Sequence, residues 1–362
     1  MTAALLEILA PPLRVEWQTQ ALPQQLERLR RHRLLPLALH HARAAGADLG
    51  AVLQGMWDSL MVNGRRQLAA DAAMLARVFA ALARRNCPVL LLKGAALGRW
   101  LYPAPELRLS SDVDILVPSR SRLDAHAAMI DAGLAGDGFS QHDLASNQAS
   151  YTDPVTAGHV DLHWALSVVP ELACRFDFAQ LHARSQPVAS MNDARALSRV
   201  DSIMHAVIHY RAHMPPADRP AIWLYDLALL TRGLTADGWQ QLDHGVRRAG
   251  LAGLHAATLA EAARWFPLEL PVDLMHNWEK LGANECTRGW LGDEPGAGRR
   301  LLRSLRCLPG LGARLGYLRA RLLPAAAWMR GRYGARTRRQ LALAHLRRWS
   351  SGLRQLLPGA RP

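Results

Sequence analysis

The sequence predicts an α+β fold: a small mixed β-sheet core with helices, N-terminal helices ahead of it and a C-terminal helical domain behind it. Three observations lead there. Val89–Leu92 is a short apolar run closed by Lys93-Gly94, and Asp112-Val-Asp-Ile-Leu-Val117 is a second short segment running into Pro118, both the length of strands rather than helices. His159-Val-Asp-Leu-His-Trp164 alternates polar and apolar residues, the period of a half-buried strand. Long stretches on either side instead place apolar residues three and four apart, the period of an amphipathic helix. A chain of 362 residues exceeds one ordinary domain. The expected division is an N-terminal helical segment (1–64), an α/β core (65–192), a helical domain (193–285) and a linker with an Arg-rich basic helical tail (286–362).

Taken in order, the first 60 residues read as short helices broken at Pro11-Pro12, Pro23 and Pro36, since proline removes a helix donor. Leu68, Ala72, Leu75, Val78, Phe79 and Leu82 form the apolar stripe of a helix over 65–85, stopped by Asn86-Cys87-Pro88. The strand at Val89–Leu92 follows, then one or two helical turns over Ala95–Leu101 and a loop forced by Pro103 and Pro105. After the strand at Asp112–Val117, Ser119 is the expected N-cap of a helix running to Ala132 and ended by Gly133. Beyond the His159–Trp164 strand, helices are predicted over 198–213, 219–232, 236–249 and 251–265, separated by Pro or Gly. Residues 286–300 read as a linker. The remaining segment carries too much Leu and Trp for a solvated arm and is expected to be helical.

The net charge of +14 is unevenly distributed. Residues 295–362 hold sixteen Arg and no Asp, Glu or Lys, leaving the rest of the chain at about −2. Such a tail suits a polyanion, either nucleic acid or an anionic membrane surface. Only two lysines occur, Lys93 and Lys280, which singles out Lys93 beside Gly94. No apolar run reaches the roughly 20 residues of a membrane-spanning helix, and the N-terminus lacks the basic start of a signal peptide. Cys87, Cys174, Cys286 and Cys307 are widely spaced with no C-x-x-C, so a cytoplasmic protein is expected, with peripheral attachment at the inner membrane surface left open.

Chemistry concentrates at Ser110-Ser111-Asp112-Val113-Asp114. Side chains two apart on a strand share a face, so Asp112 and Asp114 are expected together, with Val113, Ile115 and Val117 turned into the core. Paired carboxylates repel unless a cation lies between them, and their hard oxygens suit Mg²⁺ or Mn²⁺. Asp161, flanked by His159 and His163, supplies a third carboxylate if the two strands are neighbours. Gly94 stands where a strand turns into a helix, a place where backbone N–H groups can bind phosphate.

This order of parts resembles the polymerase-beta-like nucleotidyltransferase superfamily. More narrowly, Leu91-Leu-Lys-Gly-Ala-Ala96, Leu101-Tyr-Pro103, Arg108, Ser111-Asp-Val-Asp-Ile-Leu-Val-Pro118, His159-Val-Asp-Leu-His-Trp164 and Ile222-Trp-Leu-Tyr-Asp226 look like the bacterial uncharacterised nucleotidyltransferase family, over about residues 20 to 265. The resemblance implies Mg²⁺-dependent transfer of a nucleoside monophosphate from a nucleoside triphosphate to a hydroxyl acceptor, with pyrophosphate leaving. Asp112, Asp114 and Asp161 would hold metal, with Asp161 also catalytic. Lys93, Gly94, Arg108 and Ser111 would contact the nucleotide phosphates, and His159 and His163 would be accessory. The usual Gly-Ser is Gly94-Ala95 here, which removes a phosphate-contacting hydroxyl, and the stretch from Gly94 to Asp112 is long. A catalytically inactive binding or regulatory module of the same fold is therefore the alternative.

Two other readings compete. Asp-x-Asp also begins aspartate-nucleophile phosphatases, but there an apolar strand precedes the pair, whereas Arg108-Leu-Ser-Ser111 precedes it here. His205, His209 and His213 recur every four residues on one helical face, yet the row lacks the Glu of the H-E-x-x-H zinc motif, so packing or substrate contact is expected of it. Asp226 is expected to pair with an arginine. Trp100, Trp164 and Trp223 are expected in the core.

Overall fold

The computed structural model describes residues 22–356 apart from 137–138, 140–145, 189–190, 192–193, 214–215, 292–296, 309, 323–325 and 335–336; the break expected at Pro11-Pro12 lies outside them. Helix α1 spans Leu22–Arg31 and α2 Leu35–Ala44, with Pro23 and Pro36 in their first turns, where a missing N–H costs nothing. Helix α3, Gly50–Arg84, is longer than the stripe at 65–85 foretold, because Leu53, Met56, Trp57, Leu60 and Met61 continue the three- and four-residue apolar period N-terminally with no proline to stop it.

Strand β1 (Leu90–Leu91) leads directly into α4 (Lys93–Trp100). Strand β2 (Val113–Leu116) follows, and Ser119–Ser121 forms a single 3₁₀ turn, so α5 (Arg122–Asp131) begins two residues later than Ser119 capping predicts. Two antiparallel strands, β3 (Gln148–Thr152) and β4 (His159–His163), come next, then short helices α6 (Pro170–Ala173) and α7 (Phe178–Ala183) and two-residue strands β5 (Gln186–Pro187) and β6 (Arg195–Ala196).

These strands make one mixed six-stranded sheet in the order β3-β4-β2-β1-β6-β5. Strands β2 and β4 are parallel, with Asp114 opposite Asp161 and Leu116 opposite His163, while β1 runs antiparallel to β2 and parallel to β6. Strand alternation divides the core. Leu91, Val113, Ile115, Val160 and Leu162 pack with Leu75, Val78 and Leu82 of α3 and Met129 of α5 on one face. Leu90, Leu92 and Leu116 pack on the other with the helices that follow the sheet. Asp114, Asp161 and His163 share the parity of Leu116 and therefore face those helices.

The helices that follow the sheet are α8 (Arg199–Ala212), α9 (Ile222–Arg232), α10 (Ala236–Ala249), α11 (Ala252–Trp265) and α12 (Val272–Gly282). The first four match the expected helices within three residues, and α12 is additional. Helices α11 and α12 cross where Gly253 meets Gly282; a Cβ on Gly282 would lie 2.3 Å from the Gly253 Cα, so only hydrogen fits. Within the stretch read as a linker, Cys286–Trp290 is a 3₁₀ turn, and buried Thr287 donates a hydrogen bond to the Gly250 carbonyl. The basic tail is helical as expected: α13 (Ala297–Cys307), α14 (Gly310–Leu322), α15 (Ala326–Tyr333) and α16 (Arg338–Leu356). No described helix is long and apolar enough to cross a membrane.

Candidate active site

Asp114 is buried at the centre of the sheet, and one oxygen takes two partners. Lys93 Nζ donates to its Oδ1 at 2.5 Å and His163 Nε2 stands 2.7 Å from the same atom. Lys93 reaches it from the first residue of α4. Its φ of +48° lies in the left-handed region, which costs a residue with a Cβ about 1 kcal/mol or more and tends to persist at functional sites. Burial alone would raise the Asp114 carboxyl, but the Lys93 ammonium and the His163 imidazole outweigh it and hold the group ionised, well below the usual carboxylate range.

Register brings the third carboxylate in. Asp161 sits opposite Asp114 on β4 and accepts a hydrogen bond from Ser150 Oγ of β3 at 2.6 Å. One ligand atom each from Asp114, Asp161 and His163 all lie within 4.8 Å of one another. Two carboxylate oxygens and one imidazole nitrogen could hold a metal ion, the oxygens suiting hard cations and the nitrogen a softer transition metal. Two carboxylates held this close repel one another unless a cation lies between them, which is the fit of this donor set to a divalent ion.

The remaining expected site residues separate into two groups. Asp112 precedes β2 rather than lying in it, and its Oδ1 accepts from the Ser110 and Ser111 hydroxyls at 3.1 and 3.4 Å. It is not in the three-residue group, so strand parity alone does not unite it with Asp114. His159 is exposed at the other end of β4 with its Nδ1 3.2 Å from Thr152 Oγ1, so only one of the two imidazoles flanking Asp161 reaches the carboxylates.

Arg108 is sealed beneath α4. Its Nε and Nη2 donate to the two oxygens of Asp226 at 2.8 and 2.7 Å, and Tyr102 donates to the same carboxylate at 2.6 Å. The arginine partner expected for Asp226 is thus Arg108, which commits one edge of that guanidinium to structure. Gly94 rests on the other edge: a Cβ there would stand 2.6 Å from Arg108 Nη1. The glycine permits the close approach that sets the turn from β1 into Lys93.

The face opposite the carboxylates is α8. His205 is buried, and desolvation together with the Lys93 charge lowers it to about 3, so it is neutral at pH 7. His209 is lowered well below its ordinary value, first by burial and then by Lys93 and His205. Trp223 packs edge-on against His209 at 4.5 Å and His213 at 5.0 Å between ring centroids. A small cavity of about 30 Å³ lies among Lys93, His205, His209, Trp223 and the Arg108–Asp226 pair. Trp164 packs in the core against Phe139, and the Arg199 guanidinium lies 5.2 Å over Trp100. His205 and His209 of the row thus lie toward Asp114 and Lys93, while His213 is exposed beside Arg219, a relation that spacing along one helix could not reveal.

A glycine turn, then an Asp-x-Asp segment whose second Asp lies on a strand, then a neighbouring parallel strand with one more Asp, is the order of parts expected of a nucleotidyltransferase-type protein. The chain belongs to the uncharacterised nucleotidyltransferase family, whose sequence profile matches residues 21–267. It is also similar to the antibiotic-resistance factor ANT(2'')-Ia, known from a solution structure. That likeness covers 54% of this chain and 98% of that one at 17% identity, with a TM-score of 0.37. No curated protein matches the chain.

Proposed function

We propose that this protein is an enzyme that transfers a nucleoside monophosphate from a nucleoside triphosphate to a hydroxyl acceptor, releasing pyrophosphate. The observation that carries the reading is the facing of Asp114 and Asp161 in register on parallel strands, with His163 and Lys93 converging on Asp114. Asp114, Asp161 and His163 would hold Mg²⁺ or Mn²⁺, with Asp112 as the carboxylate at the outer edge. A cation bound there supplies charge neutralisation and lowers the pKa of an attacking hydroxyl.

The chain's own groups divide the remaining work. Lys93 carries the positive charge nearest the turn at Gly94 and would pass from Asp114 to a phosphate oxygen, replacing the hydroxyl that Ala95 lacks. Ser111, exposed beside Asp112, is a donor for the same triphosphate. Arg108 acts from beneath: by fixing Gly94 it positions Lys93. Asp161, oriented by Ser150, would accept the proton of the acceptor hydroxyl.

A second reading, a non-catalytic module that kept the fold, is favoured by Ala95 and by the Lys93–Asp114 contact, which already neutralises the central carboxylate. Labelled nucleoside triphosphates with Mg²⁺ or Mn²⁺ separate the two. Label transfer to an acceptor that disappears in Asp114→Asn supports the enzyme. Metal-dependent triphosphate binding by calorimetry without any turnover supports the module, and absence of both overturns the site.

A further inference from the structure

We propose that the C-terminal helices α14 and α16 form a docking surface for an anionic lipid bilayer. On α14, Leu311, Leu315, Leu318 and Leu322 recur at steps of four, three and four. At 100° per residue they fall within an arc of about 60°. Leu311, Leu315 and Leu322 are 71%, 55% and 51% exposed, so this stripe faces outward, away from the protein core. Arg314, whose Nε donates to the Leu308 carbonyl at 3.1 Å, and Arg319 lie on either flank of it, both exposed. On α16, Leu343 and Leu346 are likewise exposed, with Arg339 and Arg347 one turn before and after Leu343. Trp349 Nε1 donates to the Leu322 carbonyl at 2.7 Å, tying the end of α14 to α16.

The chemistry selects the occupant. Aliphatic stripes bordered by arginine match a bilayer boundary, where leucine enters the acyl region and long basic side chains reach the phosphates. Nucleic acid would satisfy the arginines but offers nothing to exposed leucines, since its recognition uses phosphate contacts and aromatic stacking. A second copy of this chain would set one basic tail against another: residues 295–362 hold sixteen Arg and no acidic residue to pair with them. The proposal does not depend on the reaction proposed above.

The test uses the full chain and flotation with vesicles. Vesicles of 70% phosphatidylcholine and 30% phosphatidylglycerol should carry the protein upward, pure phosphatidylcholine vesicles should not, and raising salt from about 0.1 to 0.5 M should weaken binding at least tenfold through screening. Leu311→Ser with Leu315→Ser and Leu322→Ser should weaken it about tenfold while the circular dichroism spectrum is unchanged, these side chains being exposed. Failure to float with anionic vesicles overturns the proposal. So does equal binding by the triple Leu variant, or capture by single-stranded RNA with none by vesicles.

Discussion

Lys93–Asp114 and Arg108–Asp226 are two ion pairs beside one short helix, and they differ in how completely they are closed. The Arg108 pair is bidentate, reinforced by Tyr102, with both side chains 4% exposed. The Lys93 pair uses a single oxygen, shares it with His163, and leaves the lysine 23% exposed. A planar guanidinium locked on both carboxylate oxygens has nowhere to go. An ammonium on a flexible stem with a route to solvent can leave. The first pair has the build of a fastener, the second that of a charge waiting for a different partner.

The sharpest way to break this contrast is to neutralise each acid in turn. Asp114→Asn is expected to lower nucleotidyl transfer about a thousandfold, the scale of losing one focused electrostatic contact at a reacting centre. Its thermal midpoint should hardly move, because Lys93 can turn to water. Arg108→Ala is expected to do the reverse, leaving Asp226 buried and uncompensated at a cost of about 3–5 kcal/mol in urea unfolding. The paired replacement Arg108→Met with Asp226→Leu should recover most of that stability. If Arg108→Ala folds normally and loses only activity, the division between the pairs is wrong.

The pH dependence of stability sharpens the same comparison. His205 is lowered from 6.5 to about 3 in the folded protein, so folding favours its neutral form. Its contribution is complete above pH 6.5 and is lost as pH falls toward 3, because the unfolded chain takes up the proton first. His205→Gln should flatten acid-induced loss of stability across that window by an amount on the order of a few kcal/mol. Unchanged pH dependence would place the acid sensitivity elsewhere. The smallest expected effect is at the contact joining the two pairs. Gly94→Ala presses a methyl group on Arg108 and should cost about 1–3 kcal/mol in unfolding experiments. It should also lower nucleotide affinity, since Lys93 begins the displaced turn.

Strands β1, β2 and β4 and helices α8 to α11 were legible in the sequence because each is long enough, or sharply enough punctuated, to show a period. Strand β3 was not, since Gln148-Ala-Ser-Tyr-Thr152 carries only two apolar residues, nor were β5 and β6, which at two residues have no period at all. Lys93, Asp114 and Asp161 stood out from residue rarity, strand alternation and position. What alternation could not supply was register: Asp114 sits opposite Asp161 only because β2 and β4 run parallel as neighbours, and that pairing selects His163 over His159. The Arg108–Asp226 pair joins residues 118 apart, and a general expectation of an arginine partner becomes a specific one only in three dimensions. Asp112 shows the opposite limit, sharing its parity with Asp114 while lying outside the strand that would enforce it.

The brevity of β1 bears on how the protein is made. Leu90 and Leu91 are held on one side by β2, some 25 residues later, and on the other by β6, where Leu91 pairs with Ala196. Closing a loop of over a hundred residues is among the slower events of folding. On the ribosome, the strand that aims Lys93 is pinned on both edges only after residue 196 has emerged. Helix α8, which covers the carboxylates, is the next element synthesised. The site is thus assembled and roofed almost together, once little more than half of the chain has been made, so a nascent chain spends little time with its carboxylates aligned but uncovered.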